Sequence, residues 1–261
     1  VYPWSSGFGT KYANPSTLPA GTGYDVAFSP DGADIAVAHY NSPAISVYPW
    51  SSGFGTKYAN PSTLPIYNGN GVAFSPDGSD IAIAQSAWRY ISVYPWSSGF
   101  GTKYANPSPY PPGQGNGVAF SPDGADIAVV HNTSPCITVY PWSSGFGTKY
   151  ANPATFPTGV GIDVAFSPDG ADIAVAHLNT PYITVYPWSS GFGTKYANPS
   201  TLPTSIGQDV AFSPDSADIA VAHNYIPYIS VYPWSSGFGT KYANPSTLPA
   251  GQGNGVAFSP I

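Results

Sequence analysis

Glutamate and methionine are absent from this chain of 261 residues, cysteine and arginine occur once each, and only 8% of the residues are charged. A nucleic-acid binder working through a basic surface is excluded, because 7 Lys and Arg stand against 13 Asp for a formal net charge of −6. Cys136 has no partner for an internal disulfide, so redox chemistry assigns the chain to no compartment. No apolar run approaches the ~18 residues that a membrane-spanning helix needs. The low charge is not a sign of disorder, since 42% hydrophobic and 15% aromatic residues leave ample surface to bury. The chain opens at Val1 rather than Met and shows no charged-then-apolar leader, as expected of a processed product or a fragment.

Glycine and proline, by contrast, are plentiful at 29 and 30 residues, which excludes a helical bundle or coiled coil. The block Val-Tyr-Pro-Trp-Ser-Ser-Gly-Phe-Gly-Thr-Lys-Tyr-Ala-Asn-Pro begins at Val1, Val47, Val93, Val139, Val185 and Val231, a constant 46-residue step without insertion or deletion. A fixed period of about 40–50 residues is the mark of a propeller or solenoid. The missing Glu and Met are therefore largely one unit's composition copied along the chain.

Each unit reads as four short strands, A to D. In the unit from Asp25, strand A is Val26–Ser29, Pro30-Asp31-Gly32 makes a turn, and strand B is Asp34–Ala38 with Ile35 and Val37 on one face. Ile45–Tyr48 gives strand C, ended by Pro49, and Thr56–Asn60 gives strand D. Lys11, Lys57, Lys103, Lys149, Lys195 and Lys241 all fall on strand D, where a charge and a flanking proline protect an outer edge. The expected fold is an all-β propeller forming one domain over residues 1–261, six-bladed, its incomplete last blade shared by the two termini.

The segments Phe28-Ser29-Pro30-Asp31-Gly32, Asp34–Ala38 and Ile45–Tyr48 resemble WD-repeat and related bacterial propellers, and the near-identical copies are similar to recently amplified propellers of bacteria and phages. Tyr-Pro-Trp stands where that family has Trp-Asp, and no Gly-His pair precedes strand A, so the family's Trp-Ser-His-Asp network does not carry over. What the resemblance implies is a binding or structural module, extracellular or virion-associated, rather than an enzyme.

Two stretches escape the copying. One precedes strand A, and the other joins strands B and C; a blade of this topology places both on one face. The eight tyrosines outside the invariant blocks all lie there: Tyr24, Tyr40, Tyr67, Tyr90, Tyr110, Tyr182, Tyr225 and Tyr228. Trp88, the one tryptophan outside the template, and Arg89, the only arginine, join them. These residue types dominate interface hot spots, so this face is the candidate site for a protein or glycan partner. Tyr90, Tyr182 and Tyr228 share one slot with Ala44 and Cys136 at the mouth of strand C, where packing is a rival reading.

Other constellations carry less. His39, His131, His177 and His223 share a slot at the end of strand B that Gln85 fills in the second unit, which favours hydrogen bonding over a metal ring. Asp25, Asp163 and Asp209 precede strand A, with Asn70, Asn116 and Asn254 beside the corresponding glycines; oxygen ligands so gathered around an axial opening offer a place for a hard cation, or simply cap loop amides. Asp31 and Asp34 read as turn residues closing on backbone amides, and Ser216 replaces the turn glycine once. No nucleophile–base pair, phosphate loop or zinc spacing is present, so no catalytic or cofactor-binding residue is expected.

Three functional readings follow: a module binding a partner through the variable face, a multivalent lectin built on the repeated Trp and Phe-Gly-Thr elements, and a subunit that polymerises through its incomplete terminal blade. The last rests on the ends. Relative to the template the closing blade lacks the counterpart of Ser216–Ser230, and Ile261 stands where the template has Asp.

Overall fold

A computed structural model describes residues 1–5 and 7–259. Pro260 and Ile261, the latter standing where the template has Asp, lie outside the described residues.

The described chain is all-β, with the same three-stranded antiparallel unit repeated five times. The sheets comprise β1 (Gly23–Phe28), β2 (Asp34–His39) and β3 (Ile45–Pro49); β4 (Gly69–Phe74), β5 (Asp80–Gln85) and β6 (Ile91–Pro95); β7 (Gly115–Phe120), β8 (Asp126–His131) and β9 (Ile137–Pro141); β10 (Gly161–Phe166), β11 (Asp172–His177) and β12 (Ile183–Pro187); and β13 (Gly207–Phe212), β14 (Asp218–His223) and β15 (Ile229–Pro233). The first strands of successive sheets lie side by side, β1 on β4, β4 on β7, β7 on β10 and β10 on β13. This is a repetitive, propeller-like arrangement.

The turn joining the first two strands is built as its sequence demands. The Asp31 carboxylate accepts from Ser29 Oγ at 2.6 Å and from the Ala33 amide at 3.0 Å, and Gly32 takes φ 70°. Ser216 occupies the same left-handed position at φ 58° and keeps the turn bond to the Ser213 carbonyl at 2.9 Å. Each first strand carries a bulge, with the register shifting between Gly23 and Asp25 and at the same place in every later sheet.

The fourth strand of each unit is a correction. Residues 55–58 run beside the third strand but form no ladder, held by Gly55 N–H to Pro49 O at 2.8 Å and Tyr58 N–H to Val47 O at 2.9 Å. Pro49 and Pro61 supply no donors at either end, and the tight Trp50–Phe54 bridge leaves little length to pair. Five of the lysines turn back onto their own segment: Lys57 Nζ donates to Asn60 Oδ1, and Lys103, Lys149, Lys195 and Lys241 do likewise.

Six closed blades are not what forms among the described residues. Tyr12 seats on the first sheet as the tyrosine of a fourth segment does elsewhere, its ring meeting Trp50 edge-on at 5.1 Å, against 5.2 Å for Tyr58 on Trp96. At the other end the Val256 amide donates to Asp209 Oδ2 at 2.7 Å, beside β13. Among the described residues neither end builds a further sheet, and the first strand of the first sheet stays open, Val26 being 56% exposed where its counterpart Val210 is 3%.

Candidate functional site

Four apolar seams lie between consecutive sheets, and they consume the residues that repeat. In the first seam Ala36, Ile45 and Val47 pack on Phe74, Ile83, Tyr94 and Trp96; equivalent sets follow in the next three. Trp96, Trp142, Trp188 and Trp234 are buried, each with its indole N–H donating to an aspartate of the preceding sheet at 2.8–2.9 Å. A lectin reading that needs those tryptophans at the surface finds no exposed ring at these four positions.

The backbone of Asp34 closes the turn on Ser29, as expected, but its carboxylate belongs to this seam. Its Oδ1 accepts from Tyr58 OH at 2.8 Å and its Oδ2 from Trp96 Nε1 at 2.9 Å, so one buried carboxylate ties two sheets together. Asp80, Asp126 and Asp172 repeat the bridge. The histidines form a second network within each sheet: Nε2 of His39, His131, His177 and His223 meets a Ser or Thr hydroxyl of the third strand at 2.9–3.1 Å, and Gln85 Oε1 accepts from Ser92 Oγ at 2.9 Å. Burial holds His131 and His177 down to about 4, well below the ordinary imidazole range.

Of the three sequence-selected aspartates, Asp25 and Asp163 stitch neighbouring first strands and Asp209 reaches the C-terminal segment. Asp25 Oδ2 accepts from the Val72 amide at 2.8 Å, Asp163 Oδ2 from Val210 at 3.2 Å and Asp209 Oδ2 from Val256 at 2.7 Å. Where glycine replaces aspartate the adjacent asparagine takes over, Asn70 Nδ2 donating to Gly115 O at 2.8 Å and Asn116 Nδ2 to Gly161 O at 2.7 Å. Burial, and then the neighbouring Asp209 carboxylate, pushes the Asp163 carboxyl well above its usual range; burial raises Asp25 too. Among the described residues no three His, Cys, Asp or Glu groups lie together as a metal site would need.

The variable loops are brought together as the topology requires. The stretch before each first strand hydrogen-bonds the loop between the second and third strands of the same sheet: Tyr40 N–H to Thr22 O at 2.9 Å, Ser86 to Asn68 at 3.1 Å, Leu178 to Val160 at 2.9 Å. The Ser-Pro-Asp-Gly and Ser-Ser-Gly turns gather elsewhere, Asp31, Asp77, Ser97 and Ser98 lining a common cleft. Tyr24 and Tyr40 contact edge-on at 6.5 Å, Trp88 meets Tyr110 at 5.6 Å, and the Arg89 guanidinium lies 5.9 Å from the Trp88 ring.

The ten residues divide by environment. Tyr67 is 73% exposed, Tyr225 69% and Trp88 64%, with Tyr24 and Tyr40 also exposed. Arg89, Tyr90, Tyr110, Tyr182 and Tyr228 are half-buried. Tyr90, Tyr182 and Tyr228 share a left-handed turn position, φ 56–70°, with Ala44 and Cys136, and each carbonyl receives the amide of the last residue of the second strand at 2.9–3.0 Å. Their backbone closes the loop whatever the side chain. Cys136 itself is buried, which raises its thiol.

The second sheet is the odd copy. Its loop has Arg89 where the other four have a cis proline (Pro43, Pro135, Pro181 and Pro227), and Gln85 where they have histidine. Tyr67 takes φ 63° in a slot that is Gly21, Gly113, Gly159 and Gly251 in other copies. A left-handed conformation costs a side chain about 1–2 kcal/mol relative to glycine; of those glycines Gly159 is itself left-handed, at φ 85°.

No protein-family model and no curated protein matches the chain. Solved structures do. A hydrazine synthase chain of Kuenenia stuttgartiensis superposes with a TM-score of 0.63 at 16% identity, covering 89% of this chain and 68% of the other. A Bacteroides uniformis chain assigned as a 6-phosphogluconolactonase gives 0.62 at 19% identity, covering 83% and 68%. The likeness is one of fold. Neither neighbour's chemistry transfers at that identity. Among the described residues no helix is long and apolar enough to cross a membrane.

Proposed function

We infer that this protein is a non-catalytic β-propeller module, its blades near-identical as in recently amplified bacterial and phage propellers, that binds a partner through the face carrying the variable loops. One observation supports this most: the repeated tryptophans of the four seams are 5–6% exposed, whereas Tyr67, Trp88 and Tyr225, each unique to its copy, are left 64–73% exposed; of the repeated rings, Trp4 and Phe8 of the opening segment are exposed as well. Large rigid aromatics with a neighbouring arginine are the groups that carry binding energy at interfaces. The test is a screen on protein and glycan arrays, followed by affinities for Trp88→Ala, Arg89→Ala and Tyr225→Ala beside Ser97→Ala on the turn side. Loss of about tenfold or more in the first three with no change in the fourth supports the reading. Equal loss on both sides, or none, refutes it.

A second reading, self-assembly through the terminal segments of an incomplete sixth blade, is favoured by the open flank of the first sheet, where Val26 and Phe28 stand exposed beside residues 1–12. Light scattering across a concentration series decides it: a mass that grows with concentration supports assembly, and a constant monomer mass refutes it.

A further inference from the structure

We propose that the groove between the Tyr40–Ser42 loop of the first sheet and the Leu64–Asn68 entry to the second binds a neutral sugar ring of a glycan. This deepens the variable-face reading and rests on it.

The groove is a shallow, open depression of about 570 Å³ lined by Tyr40, Asn41, Ser42, Ile66, Tyr67 and Asn68 among others, with no charged residue. That size falls within the range of small-ligand sites. Its free groups define the ligand. No hydrogen bond engages the hydroxyls of Tyr40, Ser42 and Tyr67 or the side-chain amide of Asn68, and Asn41 uses only its Nδ2, on Ala20 O at 3.2 Å. These are neutral donors and acceptors, flanked by two exposed tyrosine rings. A pyranose is the complement: a C–H face to lie on an aromatic ring, and a rim of hydroxyls to share with amides and phenols. An anionic ligand finds no cation here, and a purely apolar one would leave these polar groups without partners.

The internal copies act as controls. At the Tyr67 position three sister sheets leave no room for a side chain, since a Cβ on Gly21, Gly113 or Gly159 would meet the facing loop at 2.3–2.7 Å, while the fifth sheet holds a small buried Ser205 there. In the second sheet the two loops stay joined, Ser86 N–H to Asn68 O at 3.1 Å and Asn68 N–H to Ser86 Oγ at 3.2 Å, and a tyrosine stands beside them in a left-handed conformation with its ring 73% exposed. Only this copy carries the ring, so one such groove is expected.

The experiment is calorimetric titration of the whole chain with lactose, cellobiose, maltose, chitobiose and the acidic sialyllactose. Binding of at least one neutral disaccharide, little affected by salt, supports the proposal. Tyr67→Gly, which installs the residue of four sister copies, is expected to weaken it by about tenfold or more without unfolding, and Asn68→Ala severalfold. Absence of binding by every neutral sugar, equal affinity in both variants, or preference for sialyllactose or for proline-rich peptides overturns it. If Trp88→Ala abolishes capture of another partner while no sugar binds, the face-wide reading survives and this one falls.

Discussion

Replacing Asp126 by alanine removes one acceptor that serves two donors on different elements: Tyr150 OH at 2.8 Å and Trp188 Nε1 at 2.8 Å. Asp126 is 4% exposed and Trp188 6%, so water does not substitute freely. A hydrogen bond to a charged group contributes about 1.5–3 kcal/mol, and part of two such bonds is offset by no longer burying a carboxylate. The net loss should be about 3–5 kcal/mol, or a fall in Tm of roughly 10 °C for a chain of this size. Urea unfolding measures it, provided the m-value is unchanged. The sharper assay is a double-mutant cycle with Tyr150→Phe, which deletes only the phenolic oxygen. Alone, Tyr150→Phe should cost about 1–2 kcal/mol; in the Asp126→Ala background it should cost almost nothing. If Asp126→Ala costs less than about 0.5 kcal/mol, or if the two changes simply add, the carboxylate is not what ties the sheets and the reasoning fails.

Other outcomes follow from the same geometry. His131 is held to about 4 by burial, below its unfolded value of 6.5, so its contribution is present above pH 6.5 and is lost as pH falls towards 4. His131→Gln, which copies Gln85, should flatten that acid slope by up to about 3 kcal/mol, read from Tm against pH. Asp163 has the opposite sign: its carboxyl is raised above 3.8, so the stability tied to its proton is lost as pH rises through the raised value, and Asp163→Asn should be more stable than the parent at neutral pH. A parent more stable than that variant at pH 7 would contradict the account. Gly115→Ala places a Cβ 2.3 Å from the Tyr90 carbonyl and should cost about 1–3 kcal/mol by urea unfolding.

The repeat made the architecture legible, because period, turn chemistry and alternation all pointed to one stack of short antiparallel strands. The fourth strand misled for a local reason: Thr56–Asn60 has strand-like residues, but prolines on both flanks and a tight Trp50–Phe54 turn leave two backbone bonds where a ladder was expected. Asp34 was read as a turn residue because it follows the turn in sequence; its carboxylate faces the next sheet, and a bridge to Trp96 across 62 positions is invisible to local reading. Its signal was available nonetheless. Aspartate, tyrosine and tryptophan at those three positions never vary between full copies, which fits a buried network better than a surface turn. The variable face was legible for the complementary reason, since tyrosines outside the template mark loops where packing imposes no common residue. What the sequence left hidden is the backbone cost at Tyr67, which only φ reveals.

The central claim is that repeated residues hold the fold while the singular aromatics of one face are free for a ligand. Thermal unfolding of a chain carrying Tyr67→Gly, Trp88→Ala and Tyr225→Ala together tests it most directly. The account predicts a Tm within a few degrees of the parent, on the order of the change expected for surface substitutions. A loss comparable to that of Asp126→Ala would show that these side chains build the fold, and would contradict the claim.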